Sequence, residues 1–350
     1  MKIAMLAPVA WRTPPRSYGP WEQVTSNLTE ALVNLGIDVT LFATADSVTR
    51  AALIAPVKKG YAEDTAADAK VNECLHISEV MERAGDFDLI HNHFDFLPLT
   101  YSALVRTPML TTIHGFSSDK IVPVYKKYNG HVHYASISHS DRRPELDYIG
   151  TVYNGLLTTQ FSFVPQQGTY LLFLGRIHPH KGTLEAILVA KKTGIPLVIA
   201  GLIQDQEYYS QKIAPLIDGQ QVRYAGNCGA TERDQLLGGA LALLHLISFE
   251  EPFGLSVAES LCCGTPVVAF SRGSMPELIR DGVTGYLVKD VDGAASAIEH
   301  ISELDRRECS RDARDRFSSE RMGLDYLDLY KKILSYPLLS KPSATPPGQP

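Results

Sequence analysis

The sequence lacks an apolar run that would cross a membrane. A spanning helix needs about 18–20 apolar residues in succession, whereas the apolar run at the amino terminus covers only Ile3–Leu6. A secretory signal also has a longer apolar region than this. We therefore predict that no segment spans a membrane and that Ile3–Leu6 is a first buried strand.

Cysteine is scarce as well. The chain has five cysteines, and no two of them form a C-x-x-C pair. An odd number without that spacing does not fit a disulfide framework, which favours reduced thiols and a cytoplasmic protein. The adjacent Cys262 and Cys263 lie in an apolar stretch, and we interpret them as core residues.

The chain has no excess of basic charge. It carries 33 Lys and Arg against 39 Asp and Glu, which gives a formal net charge of −6. A general nucleic-acid binder is usually basic, so we expect no nucleic-acid partner. A local basic pocket for an anionic small molecule is compatible with this charge.

What the sequence does contain is a repeated alternation of short apolar runs with amphipathic stretches. The runs are rich in Val, Ile, Leu and Phe, which is typical of parallel strands buried between helices. The predicted strands are 3–6, 39–42, 87–90, 109–113 and 132–137, and then 170–174, 197–200, 221–224, 242–247 and 266–270. A chain of 350 residues has room for about two domains.

The expected fold class is therefore α/β, with two Rossmann-like, doubly wound parallel-sheet domains. We place the first domain at residues 1–160 and the second at 165–319, and we expect a helix over 320–336. The tail 340–350, rich in Pro and Ser, is expected to be disordered. Ligands bind at the carboxyl ends of strands in such sheets, so functional residues should face a cleft between the domains.

The first candidate site follows the predicted strand 170–174. Gly175-Arg176 and Lys181-Gly182 place two cations, each beside a glycine, at a strand-to-helix turn. Arginine offers a planar fork and lysine a point charge, and phosphate oxygens accept hydrogen bonds from both. The turn suits a diphosphate, and a surface loop with two solvated cations is the alternative.

The second candidate site follows the predicted strand 242–247. Gly254 opens a helix whose first amides have no partner within the helix and can bind phosphate or hydroxyl oxygens. Glu251 precedes this helix, and Glu259 lies roughly 7.5 Å along its axis. One carboxylate can accept hydrogen bonds from a sugar and the other from the diol of a ribose.

In combination these motifs resemble the retaining family-4 glycosyltransferases of the GT-B fold. The Tyr18-Gly19 start and the His91-Asn92-His93 segment resemble a subgroup that includes antibiotic-oligosaccharide transferases. The resemblance covers the chain from residue 1 to about 335, and it implies that the helix over 320–336 packs back on the first domain. It is carried by Gly175-Arg176, Lys181-Gly182, Glu251-Pro252-Phe253-Gly254-Leu255 with Glu259, Gly264-Thr265-Pro266-Val267-Val268, Pro276-Glu277, and Asp281-Gly282 with Gly285-Tyr286-Leu287-Val288.

The resemblance implies a role for each matching residue of the second half. Arg176 and Lys181 would hold the diphosphate of a nucleotide sugar. Glu251 would contact hydroxyls of the donor sugar, and the segment Phe253-Gly254-Leu255 would lie beside that sugar and the β-phosphate. Glu259 would bind the ribose hydroxyls.

The first half matches the family less closely. Gly19 corresponds to a glycine that lets the backbone approach the donor. The second glycine of the family is Pro20 here, which has no N–H to offer. Tyr18 and Trp21 are candidates for a wall on which a sugar stacks.

Two further positions complete the implied donor site. His114, at the end of the predicted strand 109–113, would reach into the cleft beside the donor sugar. Asn227, after the predicted strand 221–224, would lie near the base of the nucleotide.

The resemblance also implies a mechanism. Retention in this family is explained by front-face attack, in which the leaving phosphate oxygen takes the proton of the acceptor. The predicted catalytic residues His114, Glu251, Arg176 and Lys181 would position groups and stabilise charge, with no covalent nucleophile. No cofactor or metal is expected, because the two cations and the helix N-terminus would offset the charge of the leaving diphosphate.

The partners implied by the resemblance are small molecules. A UDP-hexose is the favoured donor and GDP-mannose the second, on family frequency. The subgroup indicates a saccharide or small-molecule acceptor. Lys126-Lys127, between Tyr125 and Tyr128, is a thin electrostatic anchor, so we expect at most weak membrane association.

Alternatives of other classes stay open at this point. His91 and His93 form an H-x-H pair at a strand end, which in a metal-dependent hydrolase binds a metal. The same pair is also compatible with a lining of the acceptor side or with a purely structural role. No other Cys, His or Asp set in the sequence completes such a site. A protein that only binds a nucleotide sugar, and a sugar-nucleotide epimerase that needs no acceptor, are the two alternatives that keep the fold.

Overall fold

The computed structural model describes residues 1–16, 18–116 and 118–335. The predicted disordered tail, 340–350, lies outside the described residues. The described chain forms two sheets, one in each half, and their paired strands run parallel. Within the described residues, no helix combines the length and the apolar character that crossing a membrane requires.

The first sheet has seven strands in the order β3-β2-β1-β4-β5-β6-β7. Helices cover both of its faces, which is why its strands are apolar without alternation. The strands are β1 Lys2–Leu6, β2 Asp38–Thr44, β3 Ala52–Val57, β4 Leu89–Asn92, β5 Met109–Ile113, β6 His133–Ser136 and β7 Tyr148–Thr151. The helices are α1 Pro20–Asn34, α2 Ala69–Glu82 and α3 Val122–Tyr128, with a 3-10 segment at Leu97–Leu104.

The second sheet has six strands in the order β10-β9-β8-β11-β12-β13. The strands are β8 Tyr170–Leu174, β9 Leu197–Ala200, β10 Val222–Gly226, β11 Ala240–His245, β12 Val267–Phe270 and β13 Gly285–Val288. The helices are α4 Thr183–Thr193, α5 Gln206–Tyr208, α6 Ala230–Gly238, α7 Leu255–Cys262, α8 Met275–Leu278, α9 Val291–Glu299, α10 Arg306–Phe317 and α11 Ser319–Ser335. Two parallel, doubly wound sheets confirm the predicted fold class.

The strand order locates the cleft. The order reverses between β1 and β4 in the first sheet and between β8 and β11 in the second. At such a point the chain leaves neighbouring strands toward opposite faces, which opens a crevice at their carboxyl ends. The loop after β1 carries Gly19, the loop after β8 carries Arg176 and Lys181, and the loop after β11 carries Glu251.

The last helix, α11, packs on the first sheet although it follows the second domain in the chain. Met322, Tyr326 and Tyr330 are buried in the same core as β1 and α1. A Cβ at Gly323 would lie 3.1 Å from Cβ of Ala31, so glycine lets α11 approach α1 closely. Residues near the end of the chain therefore complete the core of the first domain.

The two chain crossings between the domains lie side by side. Leu156 lies on the segment that leads from the first domain to the second, and Phe317 lies on the segment that returns. The amide of Leu156 donates to the carbonyl of Phe317 over 2.8 Å. The amide of Ser319 in turn donates to the carbonyl of Leu156, also over 2.8 Å. The outgoing and returning segments are thus joined by two backbone hydrogen bonds.

Candidate active site

The loop after β8 presents the two predicted phosphate-binding cations. Lys181 ends a single 3-10 turn, and Gly182 follows in the left-handed region with φ 78°. A Cβ at Gly182 would lie 2.0 Å from the carbonyl oxygen of Leu246, so only glycine allows this loop to press against the end of β11. That contact brings Lys181 next to the loop that carries Glu251.

Lys181 and Glu251 form an ion pair in the cleft. Nζ of Lys181 lies 2.5 Å from Oε2 of Glu251, and the two side chains are 16% and 15% exposed. His245, the last residue of β11, has its Nε2 3.8 Å from the same carboxylate oxygen. Burial lowers the pKa of His245 to about 4, so it is neutral at pH 7 and Lys181 is the cation that balances Glu251.

The Glu251 backbone is held by the loop after β12. The amide of Ser274 donates to the carbonyl of Glu251 over 3.0 Å. A Cβ at Gly273 would lie 2.4 Å from the Glu251 nitrogen, so the two loops are in backbone contact. This packing fixes the position from which the Glu251 carboxylate points to Lys181.

Helix α7 begins at the cleft without a side-chain cap. Its N-cap is Gly254, at φ 94° and ψ 66°. The first amides of the helix are therefore available to an oxygen ligand from outside the chain. The Phe253 side chain is 2% exposed and packs among core residues, so its backbone is the part that can reach a donor.

Glu259 lies one turn inside α7 and is 7% exposed. Its Oε1 is 3.3 Å from Nη1 of Arg233, on α6. Burial raises the pKa of Glu259, and Arg233 opposes that rise. Asn227 lies in the loop between β10 and α6 that precedes Arg233. The predicted ribose and base residues thus come from neighbouring elements of one edge of the second domain.

Arg176 faces the first domain. Its guanidinium carbon lies 5.9 Å from the ring centre of Tyr18, and its Nη1 donates to Gln204 over 2.8 Å. Gly19, next to Tyr18, precedes α1 with φ 146°, and Pro20 is the first residue of that helix. Proline suits this position because the amide it lacks would have no partner within the helix. The departure from the family's second glycine is therefore compatible with the helix.

A buried carboxyl supports the Gly19 loop. Oε1 of Glu22 accepts a hydrogen bond from the amide of Trp11 over 3.2 Å. A Cβ at Gly19 would lie 3.0 Å from Oε2 of Glu22, which places the other carboxylate oxygen against the loop. Burial raises the pKa of Glu22 to about 7.

His114 lies where the first domain touches the second. Its ring stacks on Trp21 with centroids 5.5 Å apart and an angle of 22° between the planes. The next residue, Gly115, has φ 117°, and a Cβ there would lie 2.7 Å from Cγ of Pro252. His114 is therefore one residue from a direct contact with the loop that holds Glu251.

His91 and His93 are buried beneath His114 and bond to its ring or to each other. Nδ1 of His93 lies 2.9 Å from Nε2 of His114, and Nε2 of His93 lies 3.3 Å from Nδ1 of His91. In the described part of the chain, no group of three or more His, Cys, Asp or Glu is arranged to hold a metal ion. The geometry thus gives the metal-dependent hydrolase no support.

Two D-x-D sequences occur in the chain, Asp86–Asp88 and Asp290–Asp292, and in each an aspartate has a local partner. In Asp86–Asp88, the Asp88 carboxylate accepts the amide of Lys2 over 2.8 Å. In Asp290–Asp292, Asp290 caps helix α9 and Asp292 pairs with Lys192 at 2.7 Å. Both motifs have a local structural role.

The sequence reasoning did not assign a role to Glu277, which joins the two domains. Its carboxylate accepts the backbone amides of His139 and Ser140, at 2.8 and 2.7 Å, from the first domain. The hydroxyl of Tyr153 donates to the same carboxylate over 3.1 Å. Asp141 lies beside this cluster, and burial raises its pKa to about 7.

The sequence also carries no indication of Arg233 as the partner of Glu259. No local pattern marks a partner that lies on another helix.

Comparison with known families assigns the two halves of the chain separately. Residues 159–320 match the family described as "Glycosyl transferases group 1". Residues 21–143 match "Glycosyltransferase Family 4". The first match includes Arg176, Lys181, Glu251 and Glu259. The second match includes His114.

Curated relatives match over shorter stretches. A D-inositol 3-phosphate glycosyltransferase of Mycobacterium marinum is 36% identical over 138 residues, which is 37% of this chain and 29% of that protein. The enzyme of the same name from Mycobacterium bovis is 33% identical over 156 residues, 40% of this chain and 31% of that protein. The chain thus spans less than a third of the length of these relatives.

Solved structures match over nearly the whole chain. AviGT4, a glycosyltransferase involved in avilamycin A biosynthesis, has a TM-score of 0.72 at 22% identity, with 96% of this chain and 99% of that chain covered. HepE of Anabaena, in complex with UDP and glucose, has a TM-score of 0.72 at 18% identity, with 95% and 99% covered. Sucrose-phosphate synthase from Thermosynechococcus elongatus has a TM-score of 0.77 at 17% identity, with 95% and 99% covered.

These likenesses confirm the predicted architecture, two Rossmann-like domains that face each other across a cleft. Of the motif residues that carried the resemblance, Arg176, Lys181 and Glu251 follow the carboxyl ends of β8 and β11 at that cleft. Residues 159–320 therefore belong to the group 1 glycosyl transferases and residues 21–143 to glycosyltransferase family 4, and the chain has the GT-B fold.

Proposed function

We propose that the protein transfers a hexosyl group from a nucleotide-diphosphate sugar to a hydroxyl of a saccharide or other small molecule. The observation that carries this proposal is the convergence of Arg176, Lys181 and Glu251 with the uncapped N-terminus of α7. His114 faces this cluster from the first domain, through the contact of Gly115 with Pro252.

The diphosphate binds between the two cations and the start of α7. Arg176 and Lys181 come from the loop after β8. The amides after Gly254 come from the start of α7, which follows the neighbouring strand β11. Phosphate oxygens accept hydrogen bonds from all of these donors, and the helix N-terminus adds a partial positive charge. Glu259, deeper in the same helix, takes the ribose hydroxyls, and the loop at Asn227 lies beside the base.

The donor sugar lies between Glu251 and His114. Once phosphate oxygens replace Glu251 as partners of Lys181, the carboxylate is free to accept hydrogen bonds from sugar hydroxyls. The acceptor hydroxyl attacks from the side of the leaving diphosphate, whose oxygen takes its proton, so the anomeric configuration is retained. Arg176 and Lys181 stabilise the negative charge that develops on the leaving group.

A UDP-sugar is the favoured donor, and GDP-mannose is the second. The structural likeness to HepE, solved with UDP and glucose, supports this order. The names of the curated relatives support a polyol phosphate as one acceptor to be tried among small molecules. The reaction proceeds without a metal, because the two cations and the helix N-terminus supply the positive charge that the diphosphate needs.

The unpaired state of all five cysteines supports a cytoplasmic location as part of the proposal. Reduced thiols persist in that compartment. At most weak membrane association is expected from Lys126 and Lys127, both of which are exposed on α3.

The test is calorimetric titration with UDP and with GDP, each in the presence of EDTA. Tight binding of one nucleotide supports the proposal and selects the donor class. The corresponding nucleotide sugar is then offered with a panel of saccharide and polyol acceptors, and the product's anomeric configuration is read by NMR. Absence of binding to both nucleotides would contradict the donor site, and an inverted product would contradict the mechanism.

A protein that only binds nucleotide sugars would pass the first step and fail the second. Slow hydrolysis of the donor separates the two cases, because a catalytic site transfers the sugar to water when no acceptor is present. Binding without hydrolysis or transfer would favour the non-catalytic alternative.

A further inference from the structure

Three buried histidines form a row that runs inward from the cleft. Nε2 of His114 contacts Nδ1 of His93 at 2.9 Å, and Nε2 of His93 contacts Nδ1 of His91 at 3.3 Å. His91 and His93 are 0% exposed and His114 is 8% exposed. The row is therefore shielded from water except at its His114 end.

The inner end of the row reaches the last helix. Nδ1 of His91 lies 2.7 Å from the hydroxyl of Tyr330, and Nε2 of His91 lies 2.7 Å from Oγ1 of Thr112. Thr112 in turn lies 2.7 Å from the hydroxyl of Tyr326. Tyr326 and Tyr330 belong to α11, so this helix is connected to the cleft by an unbroken series of polar contacts.

The three imidazoles are neutral at physiological pH. Burial lowers the pKa of His91 and of His93 well below the ordinary value, and it lowers the pKa of His114 to about 3. The proximity of the rings lowers the pKa of His91 and His93 further. A neutral imidazole has one nitrogen that donates and one that accepts.

The contacts between the rings couple their tautomers. A contact between two nitrogens needs one proton, because two bare nitrogens repel and two N–H groups clash. If Nε2 of His114 donates, then Nδ1 of His93 accepts, Nε2 of His93 donates and Nδ1 of His91 accepts. If any one ring carries its proton on Nδ1 instead of Nε2, the other two rings must carry theirs on Nδ1 as well.

We infer that His93 and His91 are positioning residues that fix which nitrogen of His114 carries the proton, and that Thr112 and Tyr330 select this tautomer from the inner end of the row. With its proton on Nε2, His91 donates to Thr112, and its Nδ1 accepts from Tyr330, whose hydroxyl has no other hydrogen-bond partner among the described residues. The two hydroxyls therefore support the same tautomer, in which Nε2 carries the proton.

The consequence for catalysis rests on the proposed function. The shared tautomer decides whether Nδ1 of His114 offers a lone pair or a proton at its end of the row. A lone pair would accept a hydrogen bond from a sugar hydroxyl, and a proton would donate one to a sugar oxygen. The row thus gives α11 a means of influencing how a sugar is held, although α11 does not reach the cleft.

The first test needs no substitution and no activity. Long-range proton–nitrogen NMR of the full chain, with the histidines labelled, distinguishes the two neutral tautomers of each ring. We expect His91, His93 and His114 to be neutral at pH 7 and to share one tautomer. A protonated ring, or rings of different tautomer, would overturn the inference.

The second test compares the wild type with Thr112→Val and with Tyr330→Phe. Thr112→Val leaves an N–H on Nε2 of His91 without its partner, which is rarer in a buried site than a bare acceptor, so the Nδ1–H tautomer should be favoured along the row. Tyr330→Phe removes a donor to Nδ1 of His91, so it should shift His114 in the same direction. We expect Thr112→Val to change the tautomer ratio of His114 by about fivefold or more relative to the wild type.

A ratio in Thr112→Val equal to that of the wild type, or a shift of either variant toward the Nε2–H tautomer, would overturn the inference. His93→Leu interrupts the row, so Thr112→Val added to it should leave His114 unaffected, and a persisting effect would also overturn it. UDP titration is run on the same preparations. Failure of the wild type to bind nucleotide would count against the proposed function alone, because the tautomer measurement does not depend on it.

Discussion

The ammonium of Lys181 and the carboxylate of Glu251 are paired in the free protein, with Nζ 2.5 Å from Oε2. The pair bridges the loops after β8 and β11, which belong to neighbouring strands. The free protein therefore holds both groups in place and mutually neutralised. Under the proposed function, the diphosphate of the donor competes with Glu251 for Lys181 and separates the pair.

Replacing Lys181 by Ala should weaken UDP binding by about 10- to 100-fold, because a hydrogen bond to a charged group contributes roughly 1.5–3 kcal/mol. Titration calorimetry measures the change. Lys192→Ala is the matched control, because the Lys192 ammonium is on the surface of α4 and pairs with Asp292 of α9. Equal UDP affinities in the two variants would contradict the placement of the diphosphate.

Glu251→Gln should reduce sugar transfer and leave UDP binding equal or tighter. The amide retains the size of the side chain but no longer competes for Lys181 by charge. Initial transfer rates and UDP affinity are measured on the same preparation. A parallel loss of both would place Glu251 with the nucleotide rather than with the sugar.

Glu259→Gln should weaken UDP binding by about tenfold, the effect of losing one charge-assisted hydrogen bond. Inorganic pyrophosphate, which has no ribose, should bind the variant as it binds the wild type. Competition titrations with the two ligands make this comparison, with the exposed Glu299→Gln as control. If pyrophosphate binding fell as much as UDP binding, Glu259 would not be a ribose ligand.

Glu277→Gln should loosen the contact between the domains. The two carboxylate oxygens of Glu277 each accept one backbone amide, from His139 and from Ser140. Glutamine keeps one neutral acceptor, and its NH2 group faces the other N–H. We expect a larger radius of gyration by small-angle scattering and a lower kcat, with UDP affinity unchanged. Glu303→Gln, at an exposed position in the second domain, is the control, and identical scattering of both variants would refute the role.

Glu22→Gln should change how stability depends on pH. The pKa of the Glu22 carboxyl is about 7 in the folded protein against 4.5 for an ordinary one. Because the folded state binds this proton more tightly, the wild type loses stability as pH rises from 4.5 to 7. The loss is at most about 3 kcal/mol.

The glutamine variant cannot lose that proton, and its amide oxygen can still accept the amide of Trp11. Its stability relative to wild type should therefore increase between pH 5 and pH 8 in urea unfolding. Glu82→Gln, at an exposed position on α2, should show no such trend. A pH-independent difference for Glu22→Gln would mean that the carboxyl is not protonated on folding.

The buried strands of the fold were predictable because their sequences are apolar throughout. β5, β8 and β9 have the predicted bounds to the residue. β3, β7 and β13 were missed because they are edge strands whose residues are mostly half-buried or exposed, so the apolar signal is diluted. Helix α10 was missed because its buried face includes Arg306 and Ser310, which hides the apolar period.

The candidate site was predictable to the extent that its residues form local motifs. Arg176, Lys181, Glu251 and Glu259 each follow a strand that the sequence reveals, and the strand order brings those ends together. Their partners were not predictable, because a contact such as His91 with Tyr330 joins positions 239 residues apart. Only the assembled fold places them within hydrogen-bonding distance.

The paired crossings at Leu156 and Phe317 determine how the domains can move. Two chain segments tied together by backbone hydrogen bonds leave one domain free to turn on the other mainly about the line that passes through them. Sliding one segment along the other would break those bonds, whereas rotation about this line preserves them. The displacement at the cleft then grows in proportion to the distance from this axis, so a turn of a few degrees carries His114 toward or away from Glu251 while the crossings themselves stay nearly still.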